Sequence, residues 1–133
     1  MNIEKLSVQE LMQTDIKVVN KSTNLSEAGR MMRDSGVSSL VVEPDGDGDA
    51  FGIITRKDIV EAFLSRTVKA PAHLVEDAMT QPAITVNLGM SIYNCQQLMR
   101  MVGVRRLPVV DGTKLVGILS NADIFGRLLE DIV

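Results

Sequence analysis

Apolar positions fall into two runs of the same form. Gly52-Ile53-Ile54-Thr55-Arg56-Lys57-Asp58 closes one, and Gly117-Ile118-Leu119-Ser120-Asn121-Ala122-Asp123 closes the other. Each reads as a glycine-led buried strand, then a hydroxyl residue, then an acid three positions on. The segments that follow, Ile59 to Leu64 and Ile124 to Leu129, carry apolar residues at helical spacing.

The pattern upstream of each run is also duplicated. Ser7-Val8-Gln9-Glu10 has capping-box spacing and predicts a short helix over Val8 to Met12. Val75 to Met79 repeats it, with Met79 falling 67 residues after Met12. Extended segments are expected at Ile16 to Val19 and at Ala83 to Val86. Asn24 caps a helix with Leu25, Ala28 and Met32 on one face and Met31 beside them, and Ser91 caps its counterpart with Ile92, Cys95, Met99 and Val102 inward. Gly36 and Gly103 stand where a helix C′ glycine belongs. Strands are expected at Val37 to Val42 and Val104 to Val110, the second turning at Asp111-Gly112 and the first through the longer Pro44 to Asp49. The repeat divides the chain into copies at 1–66 and 75–133 joined by a linker at 67–74, which holds His73. A single copy of ~55–60 residues makes a marginal core. The fold class expected is therefore α/β (α+β), two pseudo-twofold-related units packed as one module.

Composition narrows the function. The 133 residues are 45% hydrophobic and 23% charged, the balance of a globular protein. A net charge of −3 argues against nucleic acid as a partner, since phosphate backbones need a basic face. No apolar run reaches the ~18 residues of a membrane span, and the polar start carries no signal peptide, so a cytoplasmic setting is expected. Cys95 and His73 are the only cysteine and histidine. No disulfide, no metal site and no catalytic nucleophile with its base is expected, and hence no enzyme and no cofactor. Asp45-Gly46-Asp47-Gly48-Asp49 invites a calcium reading, but an EF-hand loop needs glycine sixth and glutamate twelfth, where this chain has Ala50 and Arg56. A solvated turn is expected.

A strand running into a helix leaves backbone N–H groups free, and these with the helix dipole favour a phosphate. The Thr55 or Ser120 hydroxyl adds a hydrogen bond, and Arg56 and Lys57 add charge in the first copy only. An ionised carboxylate accepts at four lone-pair sites, so Asp58 or Asp123 suits the two hydroxyls of a ribose. Taken alone, the same spacing also fits a helix N-cap with an acid in the first turn, contributing about 1 kcal/mol or less. The duplication favours a ligand.

These paired Gly-apolar-apolar-[Ser/Thr]-x-x-Asp segments, with Val104-Arg105-Arg106-Leu107-Pro108-Val109-Val110-Asp111 and the Met12 and Met79 segments, resemble a tandem pair of CBS motifs, the Bateman module. The first copy departs at Val41, where the family often has proline, and in its long Asp/Gly turn. The resemblance implies βαββα motifs with two ligand sites in a cleft, and a regulatory, energy-sensing role. It implies AMP, ADP, ATP or S-adenosylmethionine as ligand, a homodimer, and an effector protein that reads the bound state. It places adenine near Ile16, Lys17, Val18 and Ser39, and near Ala83 and Ile84. It also places Arg105 or Arg106 on phosphates of the nucleotide at the Asp58 site, which is expected to take the more phosphorylated ligand. A ligand-free scaffold or dimerisation module is the alternative.

Overall fold

The computed structural model describes residues 3–64 and 73–132. In chain order its elements are β1 (Val18–Val19), α1 (Leu25–Ser35), β2 (Ser39–Val42), β3 (Gly52–Thr55), α2 (Arg56–Leu64), α3 (Val75–Ala78), β4 (Val86–Asn87), α4 (Ile92–Val102), β5 (Arg106–Asp111), β6 (Lys114–Ser120) and α5 (Asn121–Ile132). Each repeat thus supplies β-α-β-β-α. In place of the helix expected at Val8 to Met12 are two single 3-10 turns, Ile3–Lys5 and Val8–Glu10.

The chain forms two compact units, and their boundaries are not those of the sequence copies. One unit is Lys17–Ala83; the other joins the segment up to Ile16 to the chain from Ile84 onward. The short segment that begins each repeat therefore packs with the strands of the other repeat. Of the stretch expected as a linker, residues 67–72 lie outside the described residues. The part that follows is paired: the Leu25 N–H donates to the His73 carbonyl (2.9 Å) and the Val75 N–H to the Thr23 carbonyl (2.8 Å). His73 itself is buried, its ring 5.7 Å from that of Phe63, so the imidazole is a packing group and not a linker side chain.

In the Lys17–Ala83 unit the sheet order is β1-β2-β3, with β1 parallel and β3 antiparallel to β2. The other unit repeats this as β4-β5-β6. The capping signals work as expected. The Asn24 side chain accepts the Ser26 N–H at 2.8 Å, Ser91 Oγ accepts the Asn94 N–H at 3.1 Å, and Gly36 and Gly103 end their helices at φ 67° and 72°. Leu25, Ala28 and Met32 are buried on α1, as are Ile92, Cys95 and Met99 on α4. Val102, expected on that face, is 44% exposed, because it lies in the last turn before Gly103. The turn of the second hairpin is Gly112-Thr113, with Asp111 still paired to Lys114 in the ladder. The register shifts between Val109 and Val110, so that Val116 is the extra residue of a bulge.

Val8 and Val75 are fully buried, each in the core of the unit its segment joins. Burying such a side chain is worth about 1.5–3 kcal/mol. The backbone beyond them bridges to the glycine-led strand: Gln13 and Ile118 exchange hydrogen bonds of 2.9 Å each way, and Thr80 and Ile53 do so at 2.9 and 3.0 Å. This approach leaves no room for a side chain at Gly117 and little at Gly52. A Cβ on Gly117 would lie 2.5 Å from Met12 Sδ and 3.0 Å from the Gln13 carbonyl; one on Gly52 would lie 3.1 Å from both Met79 Sδ and the Thr80 carbonyl. Gly117→Ala is expected to destabilise by about 1–3 kcal/mol, and Gly52→Ala by less, since forcing extra volume into close packing has that cost. Urea unfolding with an unchanged slope checks this; equal midpoints for Gly117→Ala and the wild type would remove the close-approach explanation.

Candidate functional site

In the Lys17–Ala83 unit, β3 runs directly into α2, so Thr55 ends a strand and caps a helix at once. Thr55 lies opposite Ser39 in the ladder, and the Arg56 N–H donates to the Ser38 carbonyl at 2.9 Å. The Thr55 N–H donates to Asp58 Oδ2 at 2.9 Å, and Thr55 Oγ1 accepts the Asp58 N–H at 3.2 Å. This reciprocal capping box fixes both side chains at the strand-helix joint. Both are half-buried. Among the described residues no side chain bonds the second carboxylate oxygen of Asp58, which leaves it as an acceptor.

The joint of β6 and α5 has the same backbone. Arg106 lies opposite Ser120, and the Asn121 N–H donates to the Arg105 carbonyl at 2.8 Å. Its acid is more fully engaged. Asp123 Oδ2 accepts both the Ser120 N–H (2.8 Å) and the Ser120 hydroxyl (2.9 Å), while Ser120 Oγ accepts the Asp123 N–H at 3.1 Å. The other oxygen, Oδ1, accepts the side-chain amide of Gln13 at 3.0 Å. Gln13 was not among the residues expected from sequence. Only its place after Met12, matching Thr80 after Met79, could have marked it.

The other expected residues divide between the units. Lys17, Val18, Ser39, Thr55, Arg56, Lys57, Asp58 and Ala83 belong to the Lys17–Ala83 unit, and Ile16, Ile84, Arg105, Arg106, Ser120 and Asp123 to the other. Lys57 points along the exposed side of α2, 3.9 Å from Glu61. Arg56 is exposed and, with Arg33, borders a hollow of about 430 Å³ floored by Met32, Val37, Ile59 and Val60; neither Thr55 nor Asp58 lines it. Part of the main chain expected to meet adenine is already paired. The Ala83 N–H donates to the Phe51 carbonyl at 2.8 Å, and the Val41 N–H donates to the Lys17 carbonyl at 3.1 Å. Pro108, at the place of Val41, has no N–H to give to Ile84.

The model of the CBS domain family matches this chain twice, over residues 8–65 and 75–130. The chain belongs to the CBS domain family. It is 33% identical to an uncharacterized protein of Methanopyrus kandleri over 92% of its own length, and spans 62% of that relative. Among solved structures, the hexameric CBS-CP12 protein from bloom-forming cyanobacteria is 30% identical with a TM-score of 0.82, covering 90% of this chain and 69% of that one. CBSX2 in complex with AMP is 25% identical with a TM-score of 0.77, covering 96% of this chain and 98% of that one.

Away from the two motif acids of the CBS pair, the buried His73 ring nitrogens and Asp131 Oδ2 have no hydrogen-bond partner among the described residues. Burial pushes the Cys95 thiol up to about 11, which makes it a poor nucleophile at neutral pH. Among the described residues no group of histidine, cysteine, aspartate and glutamate has the geometry of a metal site, and no helix is long and apolar enough to cross a membrane. The Asp45 to Asp49 turn is exposed from Asp45 to Gly48, as a solvated turn should be, but its last acid is held by partners from elsewhere in the chain. The Lys21 ammonium pairs with Asp49 and lies 3.8 Å from Asp45, Asp49 Oδ2 accepts the Asp45 N–H at 2.8 Å, and the Gln81 amide donates to Asp49 Oδ1 (3.0 Å) and the Ala50 carbonyl (2.8 Å). A cation supplied by the chain thus sits among the acids.

The hydrogen bond from Lys21, followed by that from the Asp45 backbone, lowers the Asp49 carboxyl from 3.8 to about 2. A carboxyl lowered on folding adds stability above its ordinary value, and this is lost as pH falls through the folded one. Acid titration of the wild type is therefore expected to lower the urea midpoint between pH values of about 4 and about 2 more steeply than titration of Asp49→Asn. Parallel curves would show that the turn contributes nothing to acid sensitivity.

Proposed function

We propose that this CBS pair is a non-catalytic regulatory module that binds an adenosine ligand: AMP, ADP, ATP or S-adenosylmethionine. The observation that carries the reading is the Thr55–Asp58 joint. It holds a carboxylate with an unengaged oxygen beside the start of a nine-residue helix, whose dipole favours a phosphate even though the Thr55, Arg56 and Asp58 N–H groups expected to be free are already bonded. Asp58 takes the ribose hydroxyls, and Thr55 with the helix start takes the phosphate. Main chain and apolar side chains around Lys17, Val18 and Ser39 receive the base. The AMP complex of CBSX2, which shares the fold over nearly the whole of both chains, supports an adenine nucleotide as ligand. Binding shifts the module between states of different ligand affinity, and an effector protein reads the change. On this reading the pair senses cellular adenosine-ligand levels in the cytoplasm, and the nucleotide is a regulatory ligand, not a cofactor.

A second reading, a ligand-free scaffold or dimerisation module, draws on the apolar outer faces of two helices. Val60, Phe63 and Leu64 on α2 and Phe125, Leu128 and Leu129 on α5 are 39–77% exposed. Exposed apolar stripes of this kind favour self-association, and we propose a homodimer under either reading.

Thermal melts with each of the four ligands separate the readings. A ligand at a hundred times its dissociation constant adds ~2.7 kcal/mol, which in a domain of this size raises Tm by roughly 5–15 °C. The expected result is a clear rise with one ligand in the wild type and its loss in Asp58→Ala. No rise with any of the four would leave the scaffold reading in place.

A further inference from the structure

We propose that Gln13 hinders ribose binding at the Asp123 site, and that this side chain is one of the differences that set the two motifs of the chain apart. The inference rests on the reading that the motif acids hold the ribose hydroxyls. The molecule contains its own control. At both joints the residue after the motif methionine exchanges two backbone hydrogen bonds with the glycine-led strand, Gln13 with Ile118 and Thr80 with Ile53, at distances that agree within 0.1 Å. The backbone therefore delivers the two side chains to equivalent places beside Asp123 and Asp58. Gln13 is long enough to donate its amide to Asp123 Oδ1 at 3.0 Å. Among the described residues, Thr80 makes no side-chain bond to Asp58.

The effect on acceptor capacity is direct. A carboxylate has about four lone-pair sites. Asp123 has three of them filled, by the Ser120 N–H, the Ser120 hydroxyl and Gln13. A vicinal diol donates two hydrogen bonds, so it cannot be seated at Asp123 while Gln13 stays. Asp58 has one filled, by the Thr55 N–H, and seats the diol with no side chain displaced. Gln13 and the Asp123 joint both reach solvent, so the amide can swing away and be hydrated. Displacing it therefore weakens the site without abolishing it, by about threefold to tenfold, the range of one net hydrogen bond.

The test is calorimetric titration of AMP into Asp58→Asn, which isolates the Asp123 site, and into Asp58→Asn carrying Gln13→Thr, which installs the residue of the other motif. The second protein is expected to bind AMP about threefold to tenfold more tightly. The reverse exchange, Thr80→Gln in the wild type, is expected to weaken the Asp58 site by a similar factor, and it leaves Gln13 and its surroundings untouched. AMP affinity unchanged or weakened by Gln13→Thr, with Thr80→Gln also without effect, overturns the role of Gln13. That result is distinct from failure of the underlying reading, in which the wild type and every variant take up none of AMP, ADP, ATP or S-adenosylmethionine; the inference then falls with it.

Discussion

The close approach of two backbones at Gly52 and at Gly117 is the constraint from which the site follows. A side chain at Gly117 would collide with the Met12 side chain and press on the Gln13 carbonyl, and one at Gly52 would crowd Met79 and the Thr80 carbonyl of the segment crossing it. With glycine there, the segment lies down on the strand, exchanges two hydrogen bonds with it, and buries Val8 or Val75 in the core below. The motif glycine is therefore not a turn residue: its space is occupied by another part of the chain. Because that part comes from the start of the other repeat, neither repeat is a closed unit alone. The marginal core expected of ~55–60 residues is completed by exchange as well as by duplication.

The same contact decides what stands beside the motif acid. Three residues beyond the bridged isoleucine the strand becomes a helix, and the hydroxyl and carboxylate of the joint lock together as a capping box. The capping and ligand readings of the pattern are thus compatible. The cap uses Oδ2 and the backbone N–H groups nearest to it and leaves Oδ1 outside the cap, bonded to Gln13 at Asp123 and to no side chain among the described residues at Asp58. An acid held by its own helix start needs little reordering to meet a ligand, and lost side-chain freedom is one of the main costs of binding.

Much of this was legible in the sequence because it rests on local rules. Helix caps at Asn24 and Ser91, C′ glycines at Gly36 and Gly103, and buried faces on α1 and α4 follow from spacing alone. The strand-helix joints were readable from duplication. What was not legible depends on residues distant in sequence. The exchange of the initial segments gives no periodic signal. His73 looked like a linker residue because its packing partner, Phe63, lies on a preceding helix. The partners that hold Asp49 in the otherwise exposed Asp45 to Asp49 turn are Lys21 and Gln81, one from before it and one from well beyond. Gln13 bonds an acid 110 residues away, and no pattern in a single copy could point to it.

The differences between the motifs do not all favour one site. At the ribose end, Asp58 keeps an open oxygen and Asp123 does not. At the end expected to meet the base the order is reversed: the Val41 N–H occupies the Lys17 carbonyl, whereas Pro108 leaves Ile84 without that ladder bond. A carbonyl spared by proline can accept from an exocyclic amino group, so on the proposed reading the second motif is better equipped for a base and the first for a ribose and phosphate. If the proposed ligand reading holds, the two motifs therefore differ at both ends, the first offering more at the sugar and phosphate and the second more at the base.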